Sequence, residues 1–115
     1  MSAVPARRRP AKREEVDDAE VGPWPRDVSR EPEMKISEVV DPLKTEFPAL
    51  SLSKVRYLEG EGLISPYRVG NGYRRYSKAD VERLRYALTA QRDEYLPLSV
   101  IRQRLAELDA SPQAP

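Results

Sequence analysis

Downstream of residue 34 the apolar residues fall at helical spacing in four stretches, and between the second and third the spacing changes to that of short paired strands. Val39, Val40 and Leu43 define the first stretch. Ser37 is suited to cap it, but Pro42 lies within it and forces either a kink or a restart with Asp41 as cap. Phe47-Pro48-Ala49-Leu50 closes that helix with apolar groups, and Ser51 or Ser53 opens a second one that runs to about Glu59, where Gly60 and Gly62 stop it. At 100° per residue, Leu52, Val55 and Leu58 share one face of this helix. Ser53, Arg56 and Tyr57 point the opposite way, with Lys54 at the margin.

The strand-like interval comes next. Ser65-Pro66-Tyr67-Arg68-Val69 and Tyr73-Arg74-Arg75-Tyr76 flank Gly70-Asn71-Gly72, and Asn-Gly marks a hairpin because both residues tolerate positive φ. A two-stranded ribbon is too small to stand alone, so it must lean on the helices and turn its other side outward. Ser77-Lys78-Ala79-Asp80 then resembles a capping box for a third helix carrying Val81, Leu84 and Leu88, which runs to about Arg92. Tyr95 and Leu96 are expected to pack in the break that follows. Ser99 is expected to cap a fourth helix with Ile101, Leu105 and Leu108 inward. The resulting fold class is mainly α with a small β-hairpin: about four helices and a two-stranded wing over residues 34–109.

Composition separates the rest of the chain from this unit. Residues 1–33 hold five prolines, few aliphatics, seven basic and eight acidic residues, a net of −1, so the stretch is expected to be a disordered, Pro-rich charged tail. Arg7 to Arg13 either touch phosphates or pair with Glu14 to Glu20, and Trp24 is a docking group without an assigned target. Residues 110–115 read as a frayed end. The total charge of +1 says little, but residues 54–85 hold eight basic and four acidic residues, a net of +4. The excess sits at Arg68, Arg74, Arg75 and Lys78.

Several kinds of chemistry are poorly supplied. The chain has no cysteine and no histidine, which removes disulfides, thiolate metal sites and the commonest general base. No catalytic residue, metal or cofactor is therefore expected; Glu59 and Glu61 flank glycines at a helix end with nothing to assist them. No apolar run is long enough to span a membrane and no signal peptide follows the basic start, so the expected location is the cytoplasm, at the nucleoid. The arginine-bearing wing suits phosphate oxygens or a narrow minor groove, and a charged face on the preceding helix suits a major groove. An ordinary solvated helix face and a solubilising hairpin are the plainer alternatives. Arg83, Arg85, Arg102 and Arg104 read as solvated or snorkelling side chains.

The ordered strings Ile36-Ser37-Glu38-Val39, Val55-Arg56-Tyr57-Leu58-Glu59, Gly62-Leu63-Ile64, Gly72-Tyr73-Arg74-Arg75-Tyr76-Ser77 and Asp80-Val81-Glu82-Arg83-Leu84 resemble the amino-terminal domain of MerR-type transcription regulators. The linker at Phe47-Pro48-Ala49-Leu50 and the segment 88–98 are similar to an actinobacterial, FtsR-like branch. The resemblance implies a winged helix-turn-helix that binds double-stranded DNA, with Arg56, Tyr57, Tyr73 and Arg74 at the duplex. Lys54 joins by helix face; Ser53 by the same face; Arg68, Asn71 and Arg75 by charge and turn position. Tyr76 matches a family aromatic assigned to the core. Family members dimerise through a long helix that follows this domain, and here the chain ends soon after Leu108. A homodimer on DNA is thus expected to lack that helix, and the tail is left as a contact for RNA polymerase or another protein. An excisionase-like DNA-bending factor and a protein-interaction adaptor are the rival functions.

Overall fold

Serine hydroxyls and two carboxylates start three of the helices. In the computed structural model, which describes residues 23–111, helix α1 spans Ile36–Glu46 and opens with the Glu38 carboxylate accepting from the Lys35 backbone N–H at 2.7 Å. Helix α2 spans Leu52–Gly60, and the Ser51 hydroxyl accepts from the Lys54 N–H at 3.1 Å. Helix α3 spans Lys78–Glu94 behind a reciprocal capping box: Ser77 Oγ accepts from the Asp80 N–H, and the Asp80 carboxylate accepts from the Ser77 N–H. Helix α4 spans Leu98–Ala110.

Five local expectations change. Ser37 does not cap α1 but is its second residue, with Lys35 at the N-cap. Pro42 neither kinks nor restarts α1, which is continuous through it; the proline is exposed, and the carbonyl that its missing N–H would have served lies in the exposed first turns. Pro97, not Ser99, precedes α4, because the residue before a helix needs no N–H of its own. Tyr95 does not pack. It is the left-handed C-cap of α3, with φ 57°, and its side chain is 85% exposed while Leu96 turns back onto the core. Leu52, the first residue of α2, is also exposed, because the turn that would cover it has not yet formed.

The core is assembled from all four helices. Val39, Leu43, Val55, Leu58, Leu63, Leu84, Ile101 and Leu105 are essentially inaccessible, with Phe47 and Leu50 of the α1–α2 connection closing one side. The Arg92 guanidinium sits 4.8 Å from the centre of the Phe47 ring and donates to the Glu46 carbonyl, finishing α1. Strands β1 (Tyr67–Arg68) and β2 (Arg74–Arg75) pair antiparallel, Tyr67 opposite Arg75 and Arg68 opposite Arg74. Their loop is longer than the Asn-Gly signal predicts. The Gly72 N–H donates to the Val69 carbonyl at 2.7 Å, and of the two residues only Gly72 takes positive φ, 87°, so the hairpin is a tight turn followed by a glycine bulge. The architecture is mainly helical with this one hairpin, a winged helix-turn-helix.

Residues 23–33 belong to the stretch expected to form the charged tail. They form a strap across α3 and α4: Pro25 is buried, Trp24 meets Tyr86 edge-on at 5.4 Å, and the Trp24 N–H donates to Asp109 at 2.8 Å. Arg26 donates to the carbonyls of Leu108 and Asp109, at the end of α4. The Ala79 N–H donates to the Ser29 carbonyl. Helix α4 itself continues through Ala110, one residue into the stretch expected to fray. The basic block Arg7 to Arg13 lies outside the described residues.

Candidate nucleic-acid interface

Two surfaces were expected to carry the charge, the outer face of α2 and the wing, and the fold places them side by side. The link is a carboxylate. Glu59, in the last turn of α2, accepts from Arg74 Nε at 2.6 Å with one oxygen and from the Tyr76 hydroxyl at 3.0 Å with the other. Arg74 is thereby tied to the helix, and the pair holds its guanidinium above its ordinary pKa through the Glu59 hydrogen bond and charge. Tyr76 is fully buried, and burial followed by the Glu59 bond pushes its phenol up to about 12. A third connection comes from the start of α1: the backbones of Met34 and Tyr76 exchange hydrogen bonds of 2.9 and 2.8 Å, so residue 34 adds an antiparallel bridge beside β2.

These ties bring four cations around one cleft of 220 Å³, lined by Lys35, Arg56, Arg74 and Arg75 together with Gly72 and Tyr73. No acidic side chain lines it. Arg56 is exposed and makes no ion pair among the described residues. Lys35 was not singled out by the sequence, where it is a lone lysine in an acidic neighbourhood. The Met34 bridge to Tyr76 is what brings it there.

The other expected residues divide by accessibility. Ser53 and Tyr57 are exposed on α2, as the helical angle requires. Lys54 is half-buried and lies over the Tyr57 ring, 5.7 Å from its centre, beside the apolar groove at Phe47 and Leu50. Tyr73 and Arg68 are exposed on the wing, and Arg68 donates to the Gly72 carbonyl across the hairpin at 3.2 Å. Arg75 is half-buried and donates to the Arg74 carbonyl. The Asn71 side chain is exposed and accepts from the Tyr73 N–H at 3.3 Å, a turn-stabilising role. Arg83 departs from the solvated reading: it is 13% exposed and bonded to Leu63, Trp24 and Asp109. Arg85, Arg102 and Arg104 are surface ion pairs with Glu46, Glu61 and Glu94. Among the described residues no cluster of acids could hold a metal ion, and no helix is long and apolar enough to cross a membrane.

A helix pair followed by a cationic wing is the build of a helix-turn-helix regulator. The family model described as "MerR HTH family regulatory protein" matches residues 34–108, and the chain belongs to this family. It is 54% identical over 79 residues to an uncharacterized HTH-type transcriptional regulator of Mycobacterium tuberculosis (strain ATCC 25618 / H37Rv), and equally to one of Mycobacterium bovis. Those matches cover 69% of this chain and 31% of each relative. It is also 45% identical over 64 residues to the HTH-type transcriptional regulator HmrR of Rhizobium leguminosarum bv. viciae, covering 54% of this chain and 47% of that protein. The chain thus spans less than half the length of these curated relatives. No solved structure matches it.

Proposed function

We propose that the chain binds double-stranded DNA sequence-specifically as a transcription regulator, with α2 in the major groove and the wing on the flanking backbone. The observation that carries this reading is the convergence of Arg56 from α2 with Arg74 and Arg75 from the wing on one acid-free cleft. Phosphate contacts from the wing supply salt-dependent affinity without reading sequence, and the exposed polar face of α2 reads base edges. Ser53, Arg56 and Tyr57 are assigned to the groove, with Lys54 at its edge. Arg68, Tyr73, Arg74 and Arg75 are assigned to the backbone, and Asn71 to the wing's shape. The names of the three regulators above, each an HTH-type transcriptional regulator, support the assignment.

Sites selected from a random duplex pool give the test. Arg75→Ala is expected to weaken the selected site and random duplex by the same factor. Arg56→Ala is expected to lose about 1–3 kcal/mol more on the selected site than on random duplex. Equal losses for both variants on both duplexes would remove sequence reading from α2, and a wild type with no salt-dependent duplex binding would favour an adaptor.

A further inference from the structure

We propose that the cleft between the start of α1, the outer face of α2 and strand β2 seats one backbone phosphate of the bound duplex, with Lys35 as a contact residue and Glu59 as the residue that positions Arg74 over it. The inference rests on the DNA-binding reading above and adds two residues to it. Lys35, Arg56, Arg74 and Arg75 line the cleft and no carboxylate shares the lining, so an anion held by Lys35, Arg74 and Arg75 meets an excess of positive charge there, while Arg56, on the α2 side, keeps its assignment to the base edges. Arg74 enters with its Nε committed to Glu59 Oε2 at 2.6 Å, while neither of its terminal nitrogens has a hydrogen bond among the described residues. That is the half of the guanidinium fork that grips phosphate oxygens.

The orientation has a rigid origin. Glu59 is 14% exposed, and its second oxygen is held by the hydroxyl of fully buried Tyr76, so the carboxylate cannot swing without breaking a bond to the core. Lys35 is equally determined: the paired backbones of Met34 and Tyr76 fix the chain one residue before it, leaving the exposed lysine side chain at the mouth of the cleft. A freely rotating arginine loses side-chain entropy on binding phosphate; Arg74 has lost it already. Glu59 therefore aids duplex binding despite its negative charge.

Fluorescence anisotropy on random duplex between 50 and 200 mM salt tests both residues, with thermal midpoints checking that the variants fold. Lys35→Gln is expected to make the slope of log affinity against log salt shallower by about 0.9, so that it loses about threefold less affinity than wild type across that range. Glu59→Gln keeps an acceptor for Tyr76 and loses the ion pair; it is expected to weaken binding severalfold in the wild-type background and to have no effect in an Arg74→Gln background. Tighter binding by Glu59→Gln in both backgrounds would show that Glu59 acts only as a repelling charge and would overturn its positioning role. An unchanged salt slope for Lys35→Gln, with wild-type duplex binding intact, would overturn the phosphate seat alone, whereas a wild type that binds no duplex overturns both readings. Stabilisation by inorganic phosphate that depends on Lys35 while the duplex slope stays unchanged would likewise overturn it, in favour of a small-anion site.

Discussion

Replacing Arg83 by alanine is expected to lower the thermal midpoint by roughly 10–20 °C, about 2–3 kcal/mol at a few degrees per kcal/mol for a domain of this size. One guanidinium joins three parts of the molecule. Its Nε donates to the Leu63 carbonyl at 2.9 Å, just after α2; Nη1 donates to the Trp24 carbonyl and to Asp109 Oδ1, both at 2.7 Å; Nη2 donates to Asp109 Oδ2 at 3.3 Å. Truncation removes the Arg83 donor from two carbonyls and leaves the Asp109 carboxylate only the Trp24 N–H, and the arginine is 13% exposed. Removing one partner of a fully buried pair costs about 3–5 kcal/mol, but Asp109 is 34% exposed and water recovers part of the loss. Arg102→Ala, which breaks an exposed pair with Glu61, is the control and should cost at most about 1 kcal/mol. Equal shifts for the two variants would show that the strap is not held through Arg83.

The same node sets an acid response. Burial alone would raise the Asp109 pKa, but the hydrogen bonds from Arg83 and the Trp24 N–H, with the charges of Arg83 and Arg30, outweigh it and hold the carboxyl below its ordinary value. A folded-state pKa below the unfolded one contributes stability that is present above the unfolded value, near 4, and is lost as pH falls through the folded value. Asp109→Asn should therefore be less stable than wild type at neutral pH, and the gap should close as unfolding is followed into acid. Asp80 runs the other way. Burial raises its pKa above the ordinary range despite the bonds from Ser77, so its ionised form costs stability as pH rises through the folded value, and it adds nothing to acid lability. A gap between wild type and Asp109→Asn that stays constant with pH would separate the Asp109 contacts from its charge.

Helical periodicity, a capping box and a glycine-bearing turn each express themselves within a few residues, which is why α1 to α4, the Ser77–Asp80 box and the hairpin could all be read from the chain. The strap could not. Residues 23–33 have no period, and what holds them is donated by Arg83 to a carbonyl 59 residues away and accepted by an aspartate 85 residues away. Pro-rich composition describes how much apolar surface a segment owns, not what waits for its backbone groups elsewhere. The candidate interface divides in the same manner. The outward face of α2 follows from 100° per residue, so Ser53, Arg56 and Tyr57 are placed correctly as exposed positions. That Arg74 is shared with Glu59, and that Lys35 reaches the cleft, depends on how the wing docks, and neither spacing nor charge encodes that angle.

The strongest dependence of the interface on the core runs through Tyr76. Tyr76→Ala is expected to cost about 3–5 kcal/mol from the cavity alone, because the ring is among the largest fully buried side chains, and further because Glu59 loses the donor on one oxygen. Against the usual 5–15 kcal/mol of a whole domain, that should lower the thermal midpoint by roughly 20 °C, while Tyr57→Ala, at an exposed position of α2, should move it little. Tyr76→Phe distinguishes ring from hydroxyl: the packing survives, the cost falls to about 1–3 kcal/mol, and Glu59 keeps only Arg74. The phenol gives a direct readout. Its pKa near 12 means that it stays neutral in the folded protein after an ordinary tyrosine has ionised, so the stability it contributes is full below the unfolded value, about 10, and is lost as pH rises through 12. In a phenolate absorbance titration, one of the six tyrosines should lag to that pH or ionise only with unfolding, and the lag should vanish in Tyr76→Phe. A lag that persists in the phenylalanine variant, or an alanine variant as stable as Tyr57→Ala, would mean that the wing is not seated on the core through this ring, and the orientation of Arg74 would need another source.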